Sequence, residues 1–183
     1  YYGAGLAVHD TADVDISGLE IRNFCIGIAV VRSHDVRLHD LRINDNHGAA
    51  GVIFTGDDGN GAVTMSSYNN TLSNSVLLDN GDGFEFTRGT HDSTLQGNTI
   101  GLTRPLPVNG NAVEFATSGD RNTVAGNTFT KYVDTAVTVG GAGHTIRDNR
   151  FVSNEGIGMR AGGANLLIQG NQFTGNGGDA LSV

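Results

Sequence analysis

The sequence predicts an all-β solenoid, a single-stranded parallel β-helix of about seven to eight coils with 22–24 residues each. Two repeated motifs and an unusual composition predict this fold. Glycine accounts for 28 of 183 residues and proline for 2, without the three-residue period of collagen. The apolar residues, 38% of the chain, recur regularly, which argues against disorder. No apolar run is long enough to span a membrane, so we expect no membrane insertion.

The first motif is a small residue followed by apolar-x-apolar, a strand pattern. Its first apolar residue recurs at Leu6, Ile28, Val52, Phe84, Val113, Val137, Met159 and Leu181. Five of the seven steps between these positions are 22 or 24 residues long, and the other two are 32 and 29. A nearly constant step predicts that each coil stacks on the previous one at about 4.8 Å, so that these side chains form one interior row.

The second motif keeps the same step and ends in an aliphatic or aromatic residue. These residues predict a second interior row: Ile21, Ile43, Leu77, Ile100, Phe129, Phe151 and Phe173. Later copies begin with an asparagine at the same offset: Asn98, Asn127, Asn149 and Asn171. Stacked at one turn, these amides are expected to form a ladder.

We expect residues 1–183 to form one β-helical domain. Two coils carry insertions, near residues 56–70 and 102–111, and insertions in a solenoid become loops that often border a binding surface. Neither end shows a capping helix, so we expect the chain to belong to a longer protein or to associate end to end.

The second motif resembles the right-handed parallel β-helix repeat family of carbohydrate-binding and sugar-hydrolase proteins, which has periplasmic and secreted relatives. The copies that carry the resemblance are Gly97-Asn98-Thr99-Ile100, Gly126-Asn127-Thr128-Phe129, Asp148-Asn149-Arg150-Phe151 and Gly170-Asn171-Gln172-Phe173. The resemblance covers essentially the whole chain. It implies right-handed coiling, an extracellular or periplasmic location and a polysaccharide partner.

Glu85 and Glu114 occupy the outward position of adjacent copies of the first motif. Stacking predicts that their carboxyl groups lie about 5 Å apart, the separation of a retaining glycosidase pair. Like charges at that distance raise one pKa, as a general acid requires. Arg88 and Arg160 lie near the same row and are candidates for binding an acidic sugar.

A second group of candidates lies near the turn that leads into the first motif. β-Helical lyases and epimerases, as the resemblance implies, remove a proton beside a uronate carboxylate that a basic residue neutralises. Lys131 and Tyr132 are candidate catalytic residues, and His47 and Arg104 are candidate substrate-binding residues. The Tyr-Gly…Asp-Pro-His signature of mannuronan epimerases is absent.

The first insertion contains the stretch Asp57-Asp58-Gly59-Asn60-Gly61. Asp57, Asp58 and Asn60 offer hard oxygen ligands, which Ca²⁺ prefers, so they are candidates for a calcium site.

Two classes of function remain open at this point. The first is an extracellular or periplasmic module that binds a polysaccharide, anionic ones included, or modifies it by lyase, epimerase or glycosidase chemistry. The second is a non-catalytic structural or adhesive solenoid that stacks into fibres. A net charge of −8 argues against nucleic acid as the partner.

Overall fold

The computed structural model describes residues 3–57, 65–104, 106, 110–116 and 119–183. Asp58 and Asn60 lie outside these residues. All regular elements in the described part are strands, numbered here along the chain, and every pairing between them is parallel. The described part contains no helix long and apolar enough to cross a membrane.

Each coil contributes one strand to each of three sheets. Sheet 1 contains β1 (Ala4–His9), β4 (Ile26–Val31), β7 (Ala50–Thr55), β11 (Asp82–Thr87), β15 (Val113–Ala116), β18 (Thr135–Val139), β21 (Ile157–Ala161) and β24 (Leu181–Ser182). Sheet 2 contains β2 (Asp15–Ser17), β5 (Arg37–His39), β9 (Thr71–Ser73), β13 (Thr94–Gln96), β16 (Thr123–Ala125), β19 (Thr145–Arg147) and β22 (Leu167–Gln169). Sheet 3 contains β3 (Glu20–Arg22), β6 (Arg42–Asn44), β10 (Val76–Leu78), β14 (Thr99–Gly101), β17 (Thr128–Thr130), β20 (Arg150–Val152) and β23 (Gln172–Thr174). A short pair, β8 (Ser67–Tyr68) and β12 (Thr90–His91), lies at one corner.

Both predicted rows are confirmed in register and, apart from the exposed Leu181 at the end of the first row, in their burial or partial burial. The first-motif residues from Leu6 to Leu181 pair in register along sheet 1. Along sheet 3, Phe129 stacks on Phe151 with ring centroids 5.1 Å apart, and Phe151 on Phe173 at 4.5 Å. The second motif predicts one interior row, whereas the structure gives it two strands in each coil, one in sheet 2 and one in sheet 3.

The division follows from one residue in each coil. A residue with positive φ lies between the two strands, which bends the chain where a continuous strand would otherwise form. These residues are Gly18, Asp40, Asn74, Gly97, Gly126, Asp148 and Gly170. The predicted amide ladder lies beside them and consists of Asn98, Asn127, Asn149 and Asn171. We call this turn the regular corner. From Asn127 onward, each side-chain oxygen accepts the backbone N–H of the preceding member of the ladder, at 2.9–3.0 Å.

Candidate functional site

Glu85 and Glu114 lie on the outward side of sheet 1, as predicted. Their strands, β11 and β15, pair so that the two residues are direct partners. On its other side Glu85 faces Ile53 of β7, a buried apolar residue. Glu85 therefore lies between an apolar side chain and a second carboxylate.

A third carboxylate, Asp82, completes the cluster, and sequence analysis does not identify it. Strict alternation along a strand would place Asp82 and Glu85 on opposite faces. Both face outward because Gly83 and Phe84, between them, are buried in succession. One carboxylate oxygen from each of Asp82, Glu85 and Glu114 lies within 4.8 Å of the other two. We call these three residues the acidic cluster.

Burial and mutual repulsion keep the acidic cluster partly protonated. The pKa of Glu85 rises from 4.5 to about 7, first because the side chain is withdrawn from water and then because Asp82 and Glu114 are close. Burial also raises the pKa of Glu114, and the charge of Asp82 adds to this effect. Burial raises the pKa of Asp82 as well, against a lowering by the backbone N–H of Asn111. At neutral pH the carboxyl group of Glu85 is therefore about half protonated.

The two ends of the second insertion are hydrogen-bonded to two aspartates of the preceding coil. The carboxylate of Asp79 accepts the backbone N–H of Thr103 at 2.6 Å and also its hydroxyl hydrogen. The carboxylate of Asp82 accepts the backbone N–H of Asn111, also at 2.6 Å. Thr103 and Asn111 mark the two ends of the insertion, so its attachment and the position of Asp82 depend on each other.

The same insertion interrupts a second amide ladder, at the turn from sheet 3 into sheet 1. Asn46 and Asn80, which precede the insertion in the chain, are hydrogen-bonded to each other, and so are Asn154 and Asn176, which follow it. Tyr132 lies at the ladder position directly above Asn154, whose side-chain oxygen accepts its backbone N–H. We call this turn the interrupted corner.

The structure contradicts a catalytic role for Tyr132. Its side chain is 1% exposed, and its hydroxyl group has no hydrogen-bond partner. Burial raises the pKa of this phenol well above its usual range. The ring fills the space under Gly83, where a Cβ atom would approach the hydroxyl oxygen to 3.0 Å. A substrate on the outer surface cannot exchange a proton with this group.

Three of the predicted basic residues lie on the surface of the interrupted corner, apart from the acidic cluster. The guanidinium of Arg104 pairs with Asp45, and His47 Nε2 lies 2.9 Å from the carbonyl oxygen of Asp79. Lys131 adopts a left-handed conformation with φ of 63°. Arg104 and Lys131 line a cavity of about 100 Å³ whose lining contains no residue of the acidic cluster.

The predicted calcium ligand Asp57 is already neutralised by another of the predicted residues. Its side chain is 6% exposed, and Arg88 Nη1 donates to its carboxylate at 2.6 Å. This ion pair argues against a calcium site at Asp57, because a cation would have to displace the guanidinium. It also means that a substrate anion would compete with Asp57 for Arg88.

Arg160 is placed as predicted, on the outward row that contains the glutamate pair. Glu114 pairs with Thr138 of β18, and Thr138 pairs with Arg160 of β21. The row therefore runs Ile53, Glu85, Glu114, Thr138, Arg160 across five successive strands.

The chain matches a known protein family and is similar to a known enzyme. A family model described as periplasmic copper-binding protein (NosD) matches residues 1–181. A 3-dehydroshikimate dehydratase from Acinetobacter baylyi is 39% identical over 131 residues. That alignment covers 71% of this chain but 27% of the relative, so the aligned segment corresponds to about a quarter of that protein.

The described residues do not provide a donor set suited to copper. Copper sites in proteins use imidazole, thiolate and thioether ligands. Among the described residues, the one group of three or more histidine, cysteine or acidic side chains with adjacent ligand atoms is the acidic cluster. Its ligands are carboxylate oxygens alone, which suit Ca²⁺, Mg²⁺ or Mn²⁺.

Proposed function

The chain belongs to the family described as periplasmic copper-binding protein (NosD), and from this premise we propose that it is a β-helix module that eliminates water from hydroxylated, carbohydrate-like substrates. The observation that carries the proposal is the acidic cluster, in which Glu85 has a pKa of about 7 beside Glu114 and Asp82. A general acid works best when its pKa lies near the working pH.

Family membership also bears on the resemblance noted in the sequence. It confirms the right-handed parallel β-helix, and it agrees with the predicted extracellular or periplasmic location. It does not by itself identify a reaction, because one fold supports many chemistries. The proposed reaction rests on the acidic cluster and on the similarity to a protein named a dehydratase.

The two glutamates have different roles in the proposed reaction. Glu114, as a carboxylate, removes a proton from the carbon next to a carbonyl group, and the electron pair of that bond forms a carbon–carbon double bond. The hydroxyl group on the neighbouring carbon leaves, and Glu85 donates its proton so that water is released. Glu114 ends protonated and Glu85 ionised, so proton exchange with solvent restores both for the next turnover.

Glu85 is assigned as the acid because both of its carboxylate neighbours raise its pKa. Burial, Asp82 and Glu114 all raise the pKa of Glu85. The pKa of Glu114 is raised by burial and by Asp82. The apolar contact with Ile53 adds to the preference for the uncharged form. Asp82 is a positioning residue in this scheme, because it binds the inserted segment through Asn111.

The test is turnover by the purified protein on 3-dehydroshikimate and on a panel of acidic polysaccharides, followed by absorbance of the new double bond. In a polysaccharide the leaving oxygen carries the next sugar, so the proton from Glu85 would release that sugar in place of water. Neutral polysaccharides, which have no carbonyl group next to the reacting carbon, are the negative control. Wild-type protein is expected to turn over at least one of these substrates. Glu85→Gln and Glu114→Gln are expected to lower kcat by about 100-fold or more. Glu20→Gln is the matched control, because Glu20 is an exposed glutamate on sheet 3.

Two results would overturn the proposal. In one, both glutamine variants turn over as fast as Glu20→Gln. In the other, wild-type protein turns over none of the substrates, which favours the structural or adhesive alternative.

Removal of metal ions is a separate check on the same scheme. The three carboxylates also suit a hard cation such as Ca²⁺. Proton transfer as proposed requires a protonated Glu85, so turnover should persist in the presence of a chelator and fall when Ca²⁺ is added. Turnover that requires added Ca²⁺ would instead assign the carboxylates to metal binding.

A further inference from the structure

The substrate of the proposed site must approach a surface with strong negative charge. Asp82, Glu85 and Glu114 face outward together, with one carboxylate oxygen of each within 4.8 Å of the other two. An anionic substrate would be repelled unless a basic residue lies within reach of it. A neutral substrate would need no such residue.

One basic residue, Arg160, lies where it could bind an anionic substrate of the acidic cluster. Arg160 is the one arginine or lysine in the strands of sheet 1, all of which are described. It is separated from Glu114 by Thr138 on the same outward row. Two strand spacings place their Cα atoms about 10 Å apart, and an extended arginine side chain spans more than half of that distance.

The guanidinium of Arg160 is also available to a ligand. Five other arginines, namely Arg32, Arg88, Arg104, Arg121 and Arg147, form ion pairs with aspartates at short distances. Arg160 is exposed and has no such pair with a carboxylate among the described residues. Binding an anion there would not require breaking an existing ion pair.

We infer that Arg160 is a specificity-determining residue that binds the carboxylate of a substrate ring, with the Thr138 side chain between it and Glu114. The inference rests on the proposed function of the acidic cluster and defines its substrate class as a hydroxylated ring that carries a carboxylate. Guanidinium and carboxylate groups match in a planar, two-point contact. A single six-membered ring fits the gap between the guanidinium and the glutamate pair, so the carbons that react lie over Glu85 and Glu114.

Such a ring could be a free cyclic acid or one uronate unit of a polysaccharide, and both present the same carboxylate. The binding experiment therefore uses two matched pairs of probes. The first pair is 3-dehydroshikimate and its methyl ester, and the second is trigalacturonate and its methyl-esterified form. Chemical-shift titration of Glu85→Gln protein measures binding without turnover.

Arg160→Gln, made in that background, is expected to weaken binding of one acid by about 10- to 100-fold, the contribution of a charge-assisted contact. Binding of the matching ester should not change. Arg160→Lys should restore part of the lost affinity, because lysine keeps the charge without the planar contact. Arg150→Gln is the matched control, since Arg150 is an exposed arginine of sheet 3.

Which acid responds distinguishes a free ring from a polymer unit. The inference is overturned if Arg160→Gln binds both acids as tightly as the Arg150→Gln control, or if neither acid binds better than its ester. These outcomes are independent of the turnover test. Turnover that depends on Glu85 but not on Arg160 would leave the proposed function standing without this substrate class. Binding that depends on Arg160 in a protein without turnover would reject the function alone.

Discussion

The regular corner and the interrupted corner differ in how the chain satisfies its buried polar groups. At the regular corner, Asn98, Asn127 and Asn149 pass hydrogen bonds from coil to coil, with side-chain to side-chain distances of 3.0–3.1 Å. At the interrupted corner, the amide series stops at Asn80 and resumes at Asn154, with Tyr132 and the second insertion between them. At the regular corner the amides therefore satisfy one another, whereas near the interrupted corner Asp79 and Asp82 accept backbone N–H groups at the two ends of the insertion.

The difference shows how a repeat fold accommodates a candidate active site. Where each coil copies the previous one, buried groups find partners at fixed spacing. Where the insertion replaces one amide, Asp79 and Asp82 accept the backbone N–H groups of Thr103 and Asn111 instead. Asp82 is thereby placed next to Glu85, whose pKa it raises. Asp82 thus adds to the effects of burial and of Glu114, which the regular stacking of sheet 1 already imposes on Glu85.

The largest expected effect is at the regular corner. Asn127→Ala should lower the free energy of unfolding by about 3 kcal/mol or more, because it leaves buried partners unsatisfied. These partners are the backbone N–H and side-chain amide of Asn98 and the carbonyl of Leu95. Urea denaturation measures the change. Gln172→Ala, at an exposed amide on sheet 3, is the control, and an equal effect at both sites would contradict the role of the ladder.

The next effect is at the acidic cluster and has the opposite sign. In the unfolded chain Glu85 loses its proton near pH 4.5, whereas in the folded protein it does so near pH 7. The folded state binds more protons in this window, so stability decreases as pH rises from 4.5 to above 7.

Glu85→Gln should therefore be more stable than wild type by about 3 kcal/mol at pH 8 and equal to it near pH 4.5. Denaturation of both proteins at the two pH values measures this difference. Glu20→Gln should show no such dependence on pH. A glutamine variant that is less stable than wild type at pH 8 would mean that the carboxylate of Glu85 has a stabilising partner.

A smaller effect is expected at the interrupted corner itself. The hydroxyl group of Tyr132 is buried without a hydrogen-bond partner, which is unfavourable. Tyr132→Phe should raise the free energy of unfolding by about 1 kcal/mol and leave turnover unchanged. Thermal denaturation and the turnover assay check the two statements. Lower stability would show that the hydroxyl group is satisfied in solution, and lost turnover would restore the catalytic role that burial argues against.

Interior rows and outward pairs were predictable from the sequence because they depend on spacing alone. The register from Leu6 to Leu181 and the pairing of Glu85 with Glu114 follow from a repeated step. The amide ladder predicts the turn between sheets 2 and 3, but the left-handed residue that makes this turn was not predicted, because residues as different as Gly97 and Asp148 occupy that position. In that case the conformation repeats while the residue type does not.

Within the site, the missed and misassigned residues are those where the repeat is broken. Asp82 was missed because Gly83 and Phe84 both face the interior, so a period of two places Asp82 on the wrong side. Tyr132 was a catalytic candidate because it lies near the turn that leads into the first motif, although its position is that of an interior ladder asparagine. Alignment of Tyr132 with Asn154, 22 residues later, is the signal that could have found it.

The central claim is that the fold raises the pKa of Glu85 to about 7 beside two other carboxyl groups. The most direct test is a titration of the Glu85 side-chain carboxyl carbon by NMR in wild-type protein, assigned with Glu85→Gln. The account predicts a midpoint of about 7 that falls when Glu114 is changed to glutamine, because a neighbouring charge is removed. A midpoint between about 4 and 5 in wild-type protein, the range of an ordinary glutamate, would contradict it.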